Sequence, residues 1–367
     1  MKHGIKITII VFVIVLTSMS ALFVKIEQKD PHIRKHLPVI QIEKAKNFDV
    51  IVEDDVTFLI DGANRKLVLD ADEVIAKDHI TVPANRIVVF SSTHAALMDR
   101  LEITDKIVGV AWGNTYEWFI PSIKKGLDDG TIQDIGISNN PDYEKIVALN
   151  PDLVILNGGT GLWEKHAKKL DELGIPYVVN SEWLEDDPLG RFEWIKFFAI
   201  LTNTEEKATK IYNIAKAETN TILEKTSSLE SPKVLWAGIF QGTVFVPRSD
   251  SYVGAIIKEA NGNYVFDDIN GTGGAQINIE EMIYRGKEAD VWIFSSDLIN
   301  STKDIISIHP LLKELRPVQN CNVYSFQPWY WQRLDKYEEF VKDVAAILHP
   351  QESSDYQLTQ FRKVSCD

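Results

Sequence analysis

The sequence predicts an α/β protein: two Rossmann-like lobes joined by a long, rigid interlobe helix, with a cleft between the lobes. Three observations carry this. Short, continuously apolar runs, such as residues 87–90 and 153–156, alternate with helical stretches, the pattern of parallel strands covered on both faces. A design repeats: Glu144 opens a short helix that feeds the Asp-led strand at 152–155, and Glu280-Glu281 opens one that feeds the strand at 289–294. Between these strand-rich halves, residues 188–230 are mostly helical in pattern, too regular for a floppy linker and suited to a stiff spine.

The chain of 367 residues is long enough for two domain-sized cores at about 150 residues each. Its 45% hydrophobic and 25% charged content is that of an ordinary globular protein. A net charge of -14 argues against a nucleic-acid partner, which needs a basic surface, and favours solubility. Residues 1–24 stand apart as a signal peptide or membrane anchor. Lys2 and Lys6 precede an apolar run over 7–24, interrupted by Thr17, Ser18 and Ser20, and Ser18 and Ser20 offer a small-x-small cleavage site. The run is also long enough to span a bilayer uncleaved. The protein is therefore expected to be exported, to the periplasm or the outer face of the cell membrane, touching that membrane through residues 7–24 if they are retained. Its two cysteines, Cys321 and Cys366, do not follow the apolar run, which excludes a lipid-modified N-terminal cysteine. An oxidising compartment permits a bridge between them, but the polar surroundings of Cys366 argue for a loose tail.

The elements follow in order. Residues 25–85 read as an N-terminal extension with a β-hairpin, strands at 56–60 and 66–69 flanking Asp61-Gly62. The N-terminal α/β lobe spans 86–187, with strands at 87–90, 106–110, 153–156 and 176–179. The interlobe helix spans 188–230: Asp187 before Pro188 opens it, and Asn203 with Glu206 resembles a capping box that restarts it. The C-terminal α/β lobe spans 231–350, with strands at 233–236, 289–294 and 323–326 and a closing helix over 336–348. Residues 351–367 form a polar tail that is expected to fray. In open α/β sheets ligands bind beyond the carboxyl ends of the strands, so two such lobes aim their binding ends at one cleft.

At this point the sequence resembles a known family, the class III periplasmic solute-binding proteins that serve iron-siderophore, haem and cobalamin ABC importers. The resemblance runs from about Arg86 to Pro350. It rests on five segments in order: Arg86-Ile87-Val88-Val89-Phe90, Asp105-Lys106-Ile107-Val108-Gly109-Val110, the stretch at 143–155, Pro188-Leu189-Gly190-Arg191-Phe192-Glu193-Trp194, and Ala346-Ile347-Leu348-His349-Pro350. The resemblance implies modest lobe closure and docking on an ABC permease dimer through an exposed glutamate on each lobe. Residue matching gives Glu144 on the N-terminal lobe and Glu280 on the C-terminal lobe, with Glu281 adjacent. Two carboxylates on similar helices suit a two-fold partner bearing arginines. The plain alternative is that both merely favour a helix N-terminus.

The loops after the strands supply the candidate ligand-binding residues: Ser92, Thr93, Trp112, Tyr116, Trp183, Arg248, Trp329 and Tyr330. Aromatic faces with a few polar donors suit a flat or bulky small molecule such as an iron chelate, a corrinoid or haem. Arg248 suits an anionic group, or else is a solvated loop arginine. Trp194, Trp236 and Trp292 fall inside elements and read as packing residues. His94 reads as a cap or wall residue, and His94, His166 and His309 do not converge as a metal site would require. The Gly158-Gly159-Thr160-Gly161 run lacks a phosphate-loop pattern and reads as a close-approach turn. There is no GxSxG or HExxH motif, so no enzyme, catalytic residue, cofactor or resident metal is expected. The function expected is that of an extracytoplasmic substrate-binding protein of an ABC importer. The alternatives are capture of bare zinc or manganese, and a membrane-anchored surface protein without a transport role.

Overall fold

The computed structural model describes residues 40–70, 78–159 and 161–366, so residues 1–24, expected to be a signal peptide or membrane anchor, lie outside the described residues. The extension forms a four-stranded sheet of β1 (Asp49–Glu53), β2 (Val56–Ile60), β3 (Lys66–Asp70) and β4 (His79–Thr81), in that order. The Asp61-Gly62 turn between β2 and β3 does more than reverse the chain. The fully buried Asp61 carboxylate accepts the Val179 N–H at 3.0 Å and pairs with Arg65 at 2.6 Å. A Cβ on Gly62 would lie 2.7 Å from the Ser181 backbone nitrogen, so only glycine allows the turn to seat on the N-terminal lobe.

That lobe is built on five parallel strands: β5 (Ile87–Val89), β6 (Ile107–Val110), β7 (Gln133–Asp134), β10 (Leu153–Asn157) and β11 (Tyr177–Asn180). A short antiparallel pair, β8 (Gly136–Ile137) and β9 (Asn140–Pro141), stands beside them. Every residue of β5, β6 and β11 is buried, as a parallel sheet sandwiched by helices requires. The covering helices are α1 (Ser92–Arg100), α2 (Pro121–Asp129), α3 (Tyr143–Ala148) and α4 (Trp163–Leu173). The spatial order β11-β10-β5-β6-β7 reverses direction between β5 and β10. That switch point opens a crevice beyond the strand ends, at Ser91 and Asn157.

The connector runs as three helices rather than one: α5 (Pro188–Glu193), α6 (Ile195–Thr202) and α7 (Glu205–Thr226). Asn203 adopts a left-handed conformation (φ 56°) and terminates α6, and Thr204 precedes α7 without a side-chain cap. The capping box expected at Asn203 and Glu206 therefore does not form. Stiffness comes from burial instead. Every residue of α6 is buried, and the buried Glu193 pairs with Lys196 at 2.6 Å. Glu193 also accepts the backbone N–H groups of Glu43, Lys44 and Ala45 at 2.8, 2.6 and 2.8 Å, so the extension straps the start of the connector.

The C-terminal lobe comprises β12 (Lys233–Phe240), β13 (Thr243–Pro247), α8 (Tyr252–Glu259), β14 (Asn263–Tyr264), β15 (Gly274–Ile277), α9 (Ile279–Gly286), β16 (Val291–Phe294), α10 (Thr302–Ile308), α11 (Arg316–Gln319), β17 (Val323–Phe326), α12 (Tyr337–Leu348) and β18 (Phe361–Lys363). Its parallel core, β14-β12-β16-β17, has a switch point of its own between β12 and β16. The tail after Pro350, expected to fray, is instead part of this sheet. β18 pairs antiparallel with β17, and the buried Asp343 carboxylate accepts the N–H groups of Thr359, Gln360 and Phe361 at 2.9, 2.6 and 3.1 Å. A Cys321–Cys366 disulfide closes the end. Local polarity suggested a loose segment, but Phe361 is fully buried and the partners that hold it lie elsewhere in the chain.

A second bridge joins the lobes. The fully buried Gln332 accepts the Phe119 N–H at 2.8 Å and donates to the Glu117 carbonyl at 2.6 Å. Beside it Ser92 Oγ donates to the Trp331 carbonyl at 3.1 Å, and Arg100 pairs with Glu338 at 2.7 Å.

Candidate functional site

The carboxyl ends of both sheets open into one cavity of about 510 Å³, lined from the N-terminal lobe by Ser91 and Asn157 and from the C-terminal lobe by Gly238 and Ser295. Its polar centre is an ion pair between Arg191 of the connector and Glu182, which follows β11. Arg191 Nε donates to Glu182 Oε2 at 2.9 Å, and the Thr93 hydroxyl donates to Glu182 Oε1 at 2.6 Å. Burial pushes the Glu182 carboxyl upward, but the Arg191 guanidinium and the Thr93 hydroxyl outweigh it and hold its pKa below the ordinary value. The guanidinium also lies 4.1 Å over the Tyr252 ring. The group is thus fixed along one edge while it lines the cavity.

Aromatic side chains make the walls. Phe326 and Tyr330 stack at 3.7 Å, with Trp331 edge-on to Tyr330 at 5.0 Å. At the rim the β12–β13 hairpin carries Phe240, which is 65% exposed. Trp183 closes another side, its indole N–H donating to the Gly158 carbonyl at 2.9 Å. A Cβ on Gly159 would lie 2.7 Å from this indole and one on Gly273 3.1 Å, and both glycines have positive φ. Loops from opposite lobes therefore approach the two sides of Trp183 only because they are glycine there.

Of the sequence-predicted residues, Thr93, Trp183 and Tyr330 line this cavity. Ser92, Trp112 and Tyr116 line an adjoining N-terminal-lobe cavity of about 320 Å³, which shares Ser91 and Asn157 with the first. Arg248 and Trp329 line neither. The Arg248 guanidinium donates to the carbonyls of Asn270 and Gly274 at 2.8 and 3.2 Å, pinning a loop. Trp329 donates to the Thr359 carbonyl at 2.9 Å and packs on Phe119, so it holds the tail. Conversely Trp236, read as a packing residue, is buried and still forms part of the cavity lining. Sequence reasoning missed Asn157, Arg191, Tyr252 and Ser295. Asn157 ends β10 and Ser295 follows β16, so extending the strand-end rule to every strand finds both. Arg191 and Tyr252 sit in helices and carried no signal.

His94, His166 and His309 have separate surroundings. His94 is fully buried, and burial lowers its pKa to about 4, leaving it neutral. His166 Nδ1 lies 2.7 Å from the Tyr143 hydroxyl, and His309 accepts the Leu311 N–H at 3.3 Å. Among the described residues no group of three or more His, Cys, Asp or Glu side chains is placed to hold a metal ion.

Away from the cleft, Glu144 and Glu280 occupy matching places. Asp142 caps α3 by accepting the Lys145 N–H, and Asn278 caps α9 by accepting the Glu281 N–H. Each glutamate is thus the second residue of its helix, and both are exposed. Glu281 is drawn to Arg285 at 3.5 Å, whereas Glu144 and Glu280 have no ion-pair partner among the described residues.

Comparison with known proteins agrees with this architecture. The sequence pattern of the family described as periplasmic binding protein matches residues 87–330. An uncharacterized lipoprotein of Methanocaldococcus jannaschii is 37% identical over 280 residues, 74% of this chain and 67% of that protein. A periplasmic heme binding protein from Pseudomonas aeruginosa superposes with a TM-score of 0.58 at 15% identity, covering 73% of this chain and 93% of that one. An Fe3+–Desferal-bound siderophore binding protein from Vibrio cholerae superposes with a TM-score of 0.56 at 18% identity, covering 72% and 98%. At that identity the likeness concerns the fold, which is the two-lobed class III fold. The match over most of the chain, with two switch points opening on one cleft, makes this chain a member of the periplasmic binding protein family, the extracytoplasmic solute-binding proteins of ABC-type transport.

Proposed function

We propose that this protein captures an iron chelate (siderophore), or a related bulky ligand such as cobalamin or haem, in the interlobe cavity and delivers it to an ABC permease. The observation that carries this reading is the cavity itself: about 510 Å³, walled by Trp183, Phe326, Tyr330 and Trp331, with one buried ion pair at its polar centre. Such a site suits a large, partly apolar ligand with a few polar groups. Thr93, Trp183 and Tyr330 contact the ligand in this reading, while Ser92, Trp112 and Tyr116 contact it in the adjoining chamber. Gln332 and the strapped connector favour small adjustments over wide closure.

Titrating the purified protein with ferric chelates, haem and cobalamin while following tryptophan fluorescence tests capture, because Trp183, Trp236 and Trp331 line the cavity. Quenching that saturates at micromolar ligand supports the reading; a flat response to all three classes overturns it. For delivery, Glu144 and Glu280 dock on arginines of the permease dimer, a pairing that gains from bidentate geometry. Changing Glu144→Lys and Glu280→Lys then leaves ligand affinity intact and abolishes uptake, and unimpaired uptake would remove the docking role.

A further inference from the structure

The adjoining chamber differs in chemistry from the main cavity. Its lining includes Ser91, Ser92, Trp112, Tyr116, Ser138 and Asn157, and no charged side chain is among its lining residues. The main cavity, by contrast, holds the Glu182–Arg191 pair. The two chambers meet at Ser91 and Asn157. Asn157 stands at the switch point beside β5, half-buried, and its side-chain amide has no hydrogen-bond partner among the described residues. A free amide there offers both a donor and an acceptor to whatever crosses between the chambers.

Trp112 is a second sign that the chamber is built for an occupant. Its backbone is left-handed, with φ 65°, a conformation that costs a bulky residue on the order of 1 kcal/mol or more. The surroundings hold it there: its N–H donates to the Gly136 carbonyl at 2.8 Å, and its indole N–H donates to Ser138 Oγ at 3.1 Å. The result is a chamber lined by aromatic rings and hydroxyl groups. At about 320 Å³ the chamber is roughly twice the size of a cavity that accepts benzene.

We infer that this chamber is a distinct ligand subsite, which takes an uncharged, ring-bearing polar arm of a two-part ligand. The ring lies against Trp112 and Tyr116, and its polar atoms meet Asn157 and the serine hydroxyls. The remaining part of the ligand occupies the main cavity beside Arg191. This inference rests on the capture reading for its biological sense, but the chamber can be probed without the transported ligand.

The test uses free benzimidazole and phenol as probes of the full chain, with benzoate and benzylammonium as charged controls, read by saturation-transfer NMR. The neutral probes are expected to bind with millimolar Kd and the charged ones at least fivefold more weakly. Ser138→Phe, which fills the chamber from a half-buried position, is expected to weaken the neutral probes at least tenfold. Asn157→Ala, a milder change that keeps the inference testable should the first variant misfold, is expected to weaken them severalfold. No binding of the neutral probes, a charged probe weakened by Ser138→Phe as much as the neutral ones, or unchanged affinity of the neutral probes in folded Ser138→Phe would each overturn the subsite. A protein that binds these probes but no ferric chelate, haem or cobalamin would overturn the capture reading and leave the subsite standing.

Discussion

Replacing Arg191 with methionine is the sharpest probe of how the cavity is held together. In the folded protein the Glu182 side chain is 3% exposed and the Arg191 side chain 12% exposed, so solvent screens their 2.9 Å contact little. Removing the guanidinium leaves a buried carboxylate with only the Thr93 hydroxyl at 2.6 Å, and removing one partner of a buried pair costs about 3–5 kcal/mol. Loss of the contact over Tyr252 at 4.1 Å contributes to the same deficit. Adding Glu182→Gln removes the stranded charge and should recover more than half of it. The pH dependence has a definite sign. Without Arg191, burial raises the folded pKa of Glu182 above its ordinary 4.5, so the variant loses stability as pH rises from 4.5 through the raised value. The deficit is therefore largest near neutrality and shrinks toward pH 4.5. Urea denaturation of wild type, both single variants and the double variant at pH 7 and 4.5 measures the cycle. A coupling energy under about 0.5 kcal/mol, with a deficit equal at both pH values, would refute the reasoning.

Three further perturbations have defined outcomes. His94 is held neutral with a pKa of about 4 against an ordinary 6.5, so stability falls as pH drops from 6.5 toward 4, by roughly 3 kcal/mol in total. His94→Leu should flatten that acid limb in urea midpoints taken at pH 7, 5.5 and 4; an unaltered slope counts against it. Gln332→Leu orphans the Phe119 N–H and the Glu117 carbonyl, costing about 2–3 kcal/mol, and should speed amide exchange at 117–119 ahead of the rest of the chain. Replacing Cys321 and Cys366 with serine releases a chain constraint of 45 residues, which loop-closure entropy values at about 4 kcal/mol. Because Phe361 of the tail packs on Tyr330 at 5.4 Å, that variant should also show altered quenching by ligand, and intact stability would show the bridge to be incidental.

The fold was legible because its signals are local. Apolar runs at 87–90 and 153–156, short and separated by helical stretches, suit buried parallel strands, and they appear as β5 and β10. The same reasoning, with the rule that ligands bind past strand ends, reached Thr93, Trp183 and Tyr330 in one chamber and Ser92, Trp112 and Tyr116 in the other. It also named Trp329 and Arg248, which line neither chamber. A loop residue near a strand end can face the cleft or the backbone behind it, and only the paths of the Thr359 and Asn270 segments settled which.

By itself, then, the sequence determined the class of architecture, two α/β lobes on a helical connector, because hydrophobic periodicity and turn chemistry act over a few residues. It also placed Glu144 and the Glu280-Glu281 pair at matching positions, since the helix-then-strand pattern repeats within each lobe. Tertiary structure alone decided which polar groups meet. Asp61 and Val179, Glu193 and Lys44, Gln332 and Phe119, and Asp343 and Phe361 are far apart in sequence, and each pairing depends on where whole elements come to rest. The ion pair that marks the cavity is of the same kind. Glu182 and Arg191 become a pair only when the end of β11 and the first turn of α5 are buried together with Tyr252. Burial then turns an ordinary carboxylate and an ordinary guanidinium into the polar centre of the site, because in a low-dielectric interior each charge is stable only beside the other.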